Sequence, residues 1–214
     1  MFCRVNYLRY VGGDQKMARS TRPMLPAVEI FIDSMRQVMA SGVEEPQCWV
    51  SCRTFLKKMI ADPEVISHAQ NWPVTGYNPD TDKVGNLLFY EDPDYGFVIN
   101  ALIKKPGGYA MIHDHGSAWT IYGILEGEER IVHYDASEEN GNYVLAESHS
   151  ELCGPGDVDI VRPWLIHSEF AQDKKSIAVI VRSQRSGTFQ QFRYFEDGTK
   201  SEISGPEQIP YTLR

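Results

Sequence analysis

The stretch "PGGYAMIHDHGSAWTIYGILEGE", residues 106–128, sets two histidines one residue apart, shortly after a double glycine. The alternation around them reads as strand, and on a strand residues i and i+2 point to the same face. His113 and His115 are therefore expected side by side and aimed the same way, an arrangement suited to holding something between them. The chain has six histidines in all, so a pair at this spacing raises the question of a third donor and a pocket. The glycines at 107–108 permit a tight turn or a close backbone approach just before the ligand strand.

Strand texture extends outward from this stretch, beginning near Leu87. "NLLFYEDPDYGFVINALIKKPGG" reads as two strands around an Asp-Pro-Asp-Tyr-Gly turn, and "WTIYGILEGEERIVHYD" as a hairpin turning at Glu126–Glu128. "EENGNYVLAES" carries an Asn-Gly turn signal. "CGPGDVDIVRPWLIHSEFA" and "KKSIAVIVRSQ" add further strands. Roughly eight short strands with turn punctuation and no helices between them predict an antiparallel barrel or jelly roll, a mainly β fold. The acidic runs "EGEE" and "SEEN" fall at turns and read as solvated tips.

Residues before the strands read differently. In "LPAVEIFIDSMRQVMASG", Val28, Phe31, Ile32, Met35, Val38 and Met39 recur at helical spacing, and Gly42 stands where a helix would stop. "CWVSCRTFLKKMIADPEVISHAQ" continues the pattern, with Pro63 opening a further short helix. The expected organisation is a flexible arm over 1–23, a helical segment over 24–84 packed on a barrel over 85–195, and an irregular tail over 196–214. The four cysteines show no CxxC pairing. Cys48 and Cys52 would share one helix face, where packing is the simpler role.

At 214 residues, with 42% apolar and 23% charged, the chain can bury a sizeable core. A net charge of −8 argues against a nucleic-acid or anionic-membrane surface, since both need clustered Lys and Arg. No stretch approaches the ~20 apolar residues that span a bilayer, and the first residues lack a secretory pattern. A cytoplasmic setting is expected, with small molecules rather than nucleic acid or membrane as partners. Barrel edges and the helical segment offer surfaces for a homodimer.

His167, near the end of "GPGDVDIVRPWLIH", is the candidate third donor, since a barrel can bring that later strand opposite the earlier one. Three imidazoles on one point, with positions left open, describe a catalytic rather than a structural metal site. Imidazole suits several transition metals, so the donors alone do not select one.

Here a family resemblance enters. Gly107, five residues, His113-Asp114-His115, four residues, Thr120, six residues and Gly127 follow the spacing of the first motif of the cupin superfamily, the RmlC-like jelly rolls. "GDVDIVRPWLIH" resembles the second motif, with Leu165 where glycine often stands and one residue fewer between Pro163 and His167. The likeness covers about residues 85–185, and it implies a double-stranded β-helix barrel with His113, His115 and His167 as metal ligands. Most metal-binding cupins carry a glutamate ligand where Thr120 stands. Its absence, together with the lead-in "GNLLFYEDPDYGFVINALIKKPGGYAMIHDH" and the helical segment before it, is similar to the thiol dioxygenase branch of cysteine dioxygenase type. There, three histidines alone hold ferrous iron.

The sequence departs from that branch at two places. Gly85, beside Asn86 and Leu87, replaces the arginine that grips the substrate carboxylate, and Ala178, Ile180 and Arg182 stand where a serine–histidine–tyrosine relay is expected. These departures point away from cysteine as substrate and toward a divergent dioxygenase acting on a small, anionic compound with O₂. If position 120 faces the metal, Tyr122 points inward too, where its hydroxyl could meet substrate or oxygen or be satisfied by the protein. Arg182, inward on a late strand, needs an anionic partner, either a substrate's acidic group or Asp159 or Glu169. Tyr122 and Arg182 are the candidate catalytic residues. Asp114 is expected to face away from the metal as a hydrogen-bonding support, and His133 to be structural. Trp164 is expected either to wall the pocket or to pack. Fe(II) is the expected cofactor, with zinc, manganese or nickel as alternatives. A zinc or manganese hydrolase or isomerase and a non-catalytic metal-binding cupin are the rival readings.

Overall fold

Three amphipathic helices lead into thirteen strands in the computed structural model, which describes residues 24–78 and 83–213. The arm expected over 1–23 lies outside the described residues. Helix α1 (Pro26–Ala40) starts on Pro26, whose missing N–H costs nothing in a first turn, and buries Val28, Phe31, Ile32 and Met35 on one stripe. Helix α2 (Gln47–Ile60) buries Trp49, Leu56, Met59 and Ile60, together with Cys48 and Cys52. Both thiols are pushed up by burial, as suits packing residues rather than nucleophiles. The short α3 (Pro63–Ala69) is capped by Asp62, whose carboxylate accepts from the Glu64 and Val65 amides at 2.9 and 3.2 Å.

The strands follow as β1 (Tyr77–Asn78), β2 (Lys83–Glu91), β3 (Val98–Lys104), β4 (Tyr109–His113), β5 (Thr120–Glu126), β6 (Glu129–Glu139), β7 (Asn142–Cys153), β8 (Val158–Val161), β9 (Ile166–Ala171), β10 (Ser176–Arg182), β11 (Gln191–Tyr194), β12 (Lys200–Ile203) and β13 (Glu207–Pro210). One sheet runs β1-β2-β3-β10-β5-β8, with β13 parallel to β2; the other runs β12-β11-β4-β9-β6-β7. The eight strands β3 to β10 thus form two facing four-stranded halves, β3-β10-β5-β8 and β4-β9-β6-β7. The chain crosses between them as in a jelly roll. The fold is a mainly β double-stranded jelly-roll barrel, with a helical segment at its N-terminal side.

The continuous apolar run of β10 has a physical reason, because the strand is buried on both faces. Ile177, Val179 and Val181 join a core shared with the helices, including Trp49 and Leu56. Ala178 and Ile180 join Leu102, Tyr122, Ile124 and Ile131 in a second core that spans the two sheets. At Gly123 on β5, an added Cβ would lie 3.1 Å from side-chain carbons of Leu56 and Ile60, so glycine lets α2 approach the strand closely.

Three expectations are corrected. Residues 120–139 do not form a hairpin: β5 and β6 lie in opposite sheets, and Gly127, at φ +75, turns a corner between them. A Cβ at Gly127 would meet the Lys175 carbonyl oxygen at 2.4 Å, which confines this corner to glycine. The tail over 196–214 is not wholly irregular, since β12 pairs with β11 and β13 with β2. Helix ends at Ala69, and β1 and the start of β2 occupy part of the segment read as helical.

Candidate metal centre

The three histidines read from the sequence meet. Their side-chain donor atoms all lie within 4.8 Å of one another. His113 ends β4, where its partner across the ladder is His167 on β9. Ring centroids are 4.5 Å apart for His113 and His167, and 4.8 Å for each of the other two pairs. Two imidazoles bound at right angles to one ion, with metal–nitrogen bonds of ~2.1 Å, would place their centroids roughly 4.5 Å apart. The cluster has the size a metal ion requires.

His115 corrects one expectation. It lies just past the end of β4, and its ring meets that of His113 edge-on, at 80°, rather than side by side. Asp114 causes the change: its Oδ1 accepts from the Gly116 and Phe192 amides at 2.8 and 3.2 Å, and its Oδ2 from the Tyr194 hydroxyl at 2.8 Å. Gly116 is left-handed at φ +49, and a Cβ there would stand 1.8 Å from the Gln190 carbonyl oxygen. The strand therefore breaks directly after His113, and the break swings His115 toward the same centre. Asp114 is thus a hydrogen-bonding support for this turn.

The ring nitrogens are sorted by their bonds. Nδ1 of His113 pairs with the Met111 carbonyl at 2.8 Å and Nδ1 of His167 with the Leu165 carbonyl at 3.2 Å, which leaves each Nε2 free to face the centre. Burial pushes His113 down to about 4 and His115 well below its ordinary value, the positive neighbours adding to the effect. Both are neutral near pH 7, as metal ligands must be. His167 goes the other way. Burial disfavours its charge, but Glu169, with Oε1 3.1 Å from Nε2, outweighs that and raises it.

Beside the histidines lies a cavity of about 470 Å³, lined among others by His113, His115, Tyr122, Glu169 and Arg182. Arg182 is 4% exposed and donates to the Ser186 hydroxyl at 2.8 Å, while its Nε has no partner among the described residues. Neither acid considered for it forms an ion pair with it: Asp159 bonds His133 at 3.0 Å, and Glu169 Oε1 stands 3.1 Å from His167 Nε2. Burial pulls the Arg182 guanidinium down to about 10, still charged at neutral pH. Tyr122 lines the cavity, but its hydroxyl is bonded within the protein, accepting from Lys104 at 3.0 Å and donating to Glu129 at 2.8 Å. Trp164 is exposed, with φ +64, and its amide donates to the Gly116 carbonyl at 2.8 Å, tying the two ligand-bearing loops together.

Sequence reading missed several contributors. Asn86 and Gln191 line the cavity, each 1% exposed, with unpartnered amide atoms. From the sequence Glu169 stands out only as a partner for Arg182, although its position two residues beyond His167 on one strand carries a signal. The C-terminal residues Ser204, Gly205 and Pro206 also line the cavity.

No protein-family model matches the chain. No curated protein matches it either. Solved structures resemble it in part. A cupin 2 conserved barrel domain protein from Rhodopseudomonas palustris is 14% identical at TM-score 0.40, over 52% of this chain and 66% of that one. KdgF from Halomonas sp. is 16% identical at TM-score 0.36, over 46% and 76%. Oxalate oxidase in complex with the substrate analogue glycolate is 16% identical at TM-score 0.38, over 58% and 61%. For two other solved structures, an oxalate oxidase and the Cnp3 cupin domain of Schizosaccharomyces pombe, the match spans 42% and 60% of their length. The fold assignment rests on the strand order itself. That order and this cluster define a jelly-roll barrel whose three histidines fit a metal ion.

Proposed function

We propose that the chain is a mononuclear non-heme Fe(II)-dependent oxygenase of dioxygenase type, allied to the thiol dioxygenases and acting on a small anionic organic substrate with O₂. The observation that carries this reading is the convergence of His113, His115 and His167 beside a cavity that holds a buried arginine with no carboxylate partner among the described residues. Imidazole donors suit ferrous iron, and a protein donor set that leaves coordination positions open is what oxygen-using iron sites require. Held by these residues, ferrous iron would supply a redox-active centre at which O₂ is activated, the net reducing electrons coming from the organic substrate.

The chain's own residues do the rest. Arg182 binds the acidic group of the substrate, answering its own need for a counter-charge. The unpartnered amides of Asn86 and Gln191 offer further hydrogen bonds, and Leu102 and Ile180 exclude water. Tyr122 contributes its ring, its hydroxyl being held by Lys104 and Glu129. A redox-silent zinc or manganese ion in the same donors, serving hydrolysis or isomerisation, is the second reading. The buried Glu169 carboxylate favours it as a candidate base.

The test is elemental analysis of protein purified without added metal, followed by oxygen-electrode measurements against small thiols and diketones. Iron near one per chain with substrate-dependent O₂ uptake is expected, and His113→Ala is expected to lose both. Zinc or manganese without O₂ uptake would select the second reading, and a His113→Ala protein that keeps metal and uptake would remove both.

A further inference from the structure

We propose that Glu169 is a fourth protein donor to the metal, so that the centre is a three-histidine, one-carboxylate site whose acid comes from β9. The proposal rests on the metal-binding reading above and deepens it, and it departs from the histidine-only donor set that the thiol dioxygenase resemblance implies. A carboxylate that merely orients a ligand histidine bonds the ring nitrogen facing away from the metal. In His167 that nitrogen, Nδ1, is already engaged by the Leu165 carbonyl. Glu169 instead touches Nε2, the nitrogen left to face the other two histidines, at 3.1 Å. It stands on the metal's side of the ring.

The distance is itself informative. Two donors at right angles on one ion, each bound at ~2.1 Å, lie roughly 3.0 Å apart. His167 Nε2 and Glu169 Oε1 already have that separation without an ion between them. His167 and Glu169 are two apart on β9 and so share the face that looks into the barrel.

Glu169 is also incompletely satisfied. Its Oε2 is buried with no hydrogen-bond partner among the described residues, and the residue is 4% exposed. The nearby cations do not pair with it: Lys104 bonds Glu129 at 2.5 Å, and Arg182 bonds Ser186. A buried carboxylate oxygen left unpaired is costly unless something absent completes it, and a divalent ion does so. Thr120 offers only a hydroxyl, itself buried without a partner, and brings no charge. With Glu169 bound, a dipositive ion carries a net single positive charge rather than two, and a six-coordinate ion keeps two positions, enough for a substrate donor and O₂.

The experiment is anaerobic Co(II) titration of the full chain against a competing chelator, with the visible absorption of bound Co(II) as a second readout. Glu169→Gln is expected to weaken Co(II) binding by about tenfold to a hundredfold or more. The band intensities should shift as one oxygen donor is lost. Glu169→Asp, which keeps the charge but shortens the reach, should also weaken binding and shift the bands, and it decides the matter if the Gln variant does not fold. Wild-type affinity with an unchanged spectrum in the folded variant would overturn the proposal, while His113-dependent binding in the wild type would leave the metal reading standing. A wild type that binds no Co(II) would overturn both.

Discussion

Asp114 sits between two ligand histidines and uses both carboxylate oxygens to hold other groups: the Gly116 and Phe192 amides and the Tyr194 hydroxyl. Those bonds end the strand at His113 and aim His115, so the carboxylate acts on the centre through geometry. Arg182 is the opposite case, a buried cation that donates to Ser186 and whose Nε lacks a partner among the described residues. Replacing it with methionine should leave metal content unchanged while raising KM for acidic substrates roughly 10- to 100-fold, about 1.4 kcal/mol for each factor of ten. Steady-state O₂ uptake on acidic and neutral analogues measures this. An equal effect on both classes would argue that Arg182 serves packing alone.

At the scale of elements, one polar knot joins the sheets. Lys104 on β3, Tyr122 on β5 and Ser176 on β10 converge on Glu129 of β6, which belongs to the other sheet. Lys104→Met leaves the buried Glu129 without its counter-charge, with only the Tyr122 and Ser176 hydroxyls bonded to it, and should cost about 3–5 kcal/mol in urea unfolding. The Lys104→Met, Glu129→Leu pair should recover most of that loss, and failure to do so would mean the knot matters through packing. The knot was not legible in the sequence because its members are scattered and each is unremarkable alone. The ligand strand was legible, since alternation and the His113-Asp114-His115 triplet are local signals. The corner at Gly127 was read as a hairpin because a short turn between two apolar strands looks the same whether the strands pair or part into opposite sheets. β13 was missed because its partner, β2, is distant and parallel, so no local turn announces it. Glu169 had a signal in its spacing from His167, but only the structure puts its oxygen beside Nε2.

For the whole molecule, the barrel and the helical segment share one core. Ile121, Val158, Ile177 and Val179 pack in the same cluster as Phe31, Trp49 and Leu56, so the helices cover the outer face of the sheet whose inner face borders the cavity. The C-terminal strands complete that cavity, with Gln191 on β11 and Ser201 on β12 among its lining. The centre therefore draws on β4, β9 and the loop after β4, and its pocket on both sheets. Among the described residues no helix is long and apolar enough to cross a membrane. The most direct measurement is anomalous diffraction at the iron edge from crystals grown anaerobically with ferrous iron. A single peak per chain is expected, within about 2.2 Å of one nitrogen from each of His113, His115 and His167. A peak elsewhere, or a cavity that takes up no iron while His167 turns away from the other two, would contradict the metal centre on which the proposed chemistry depends.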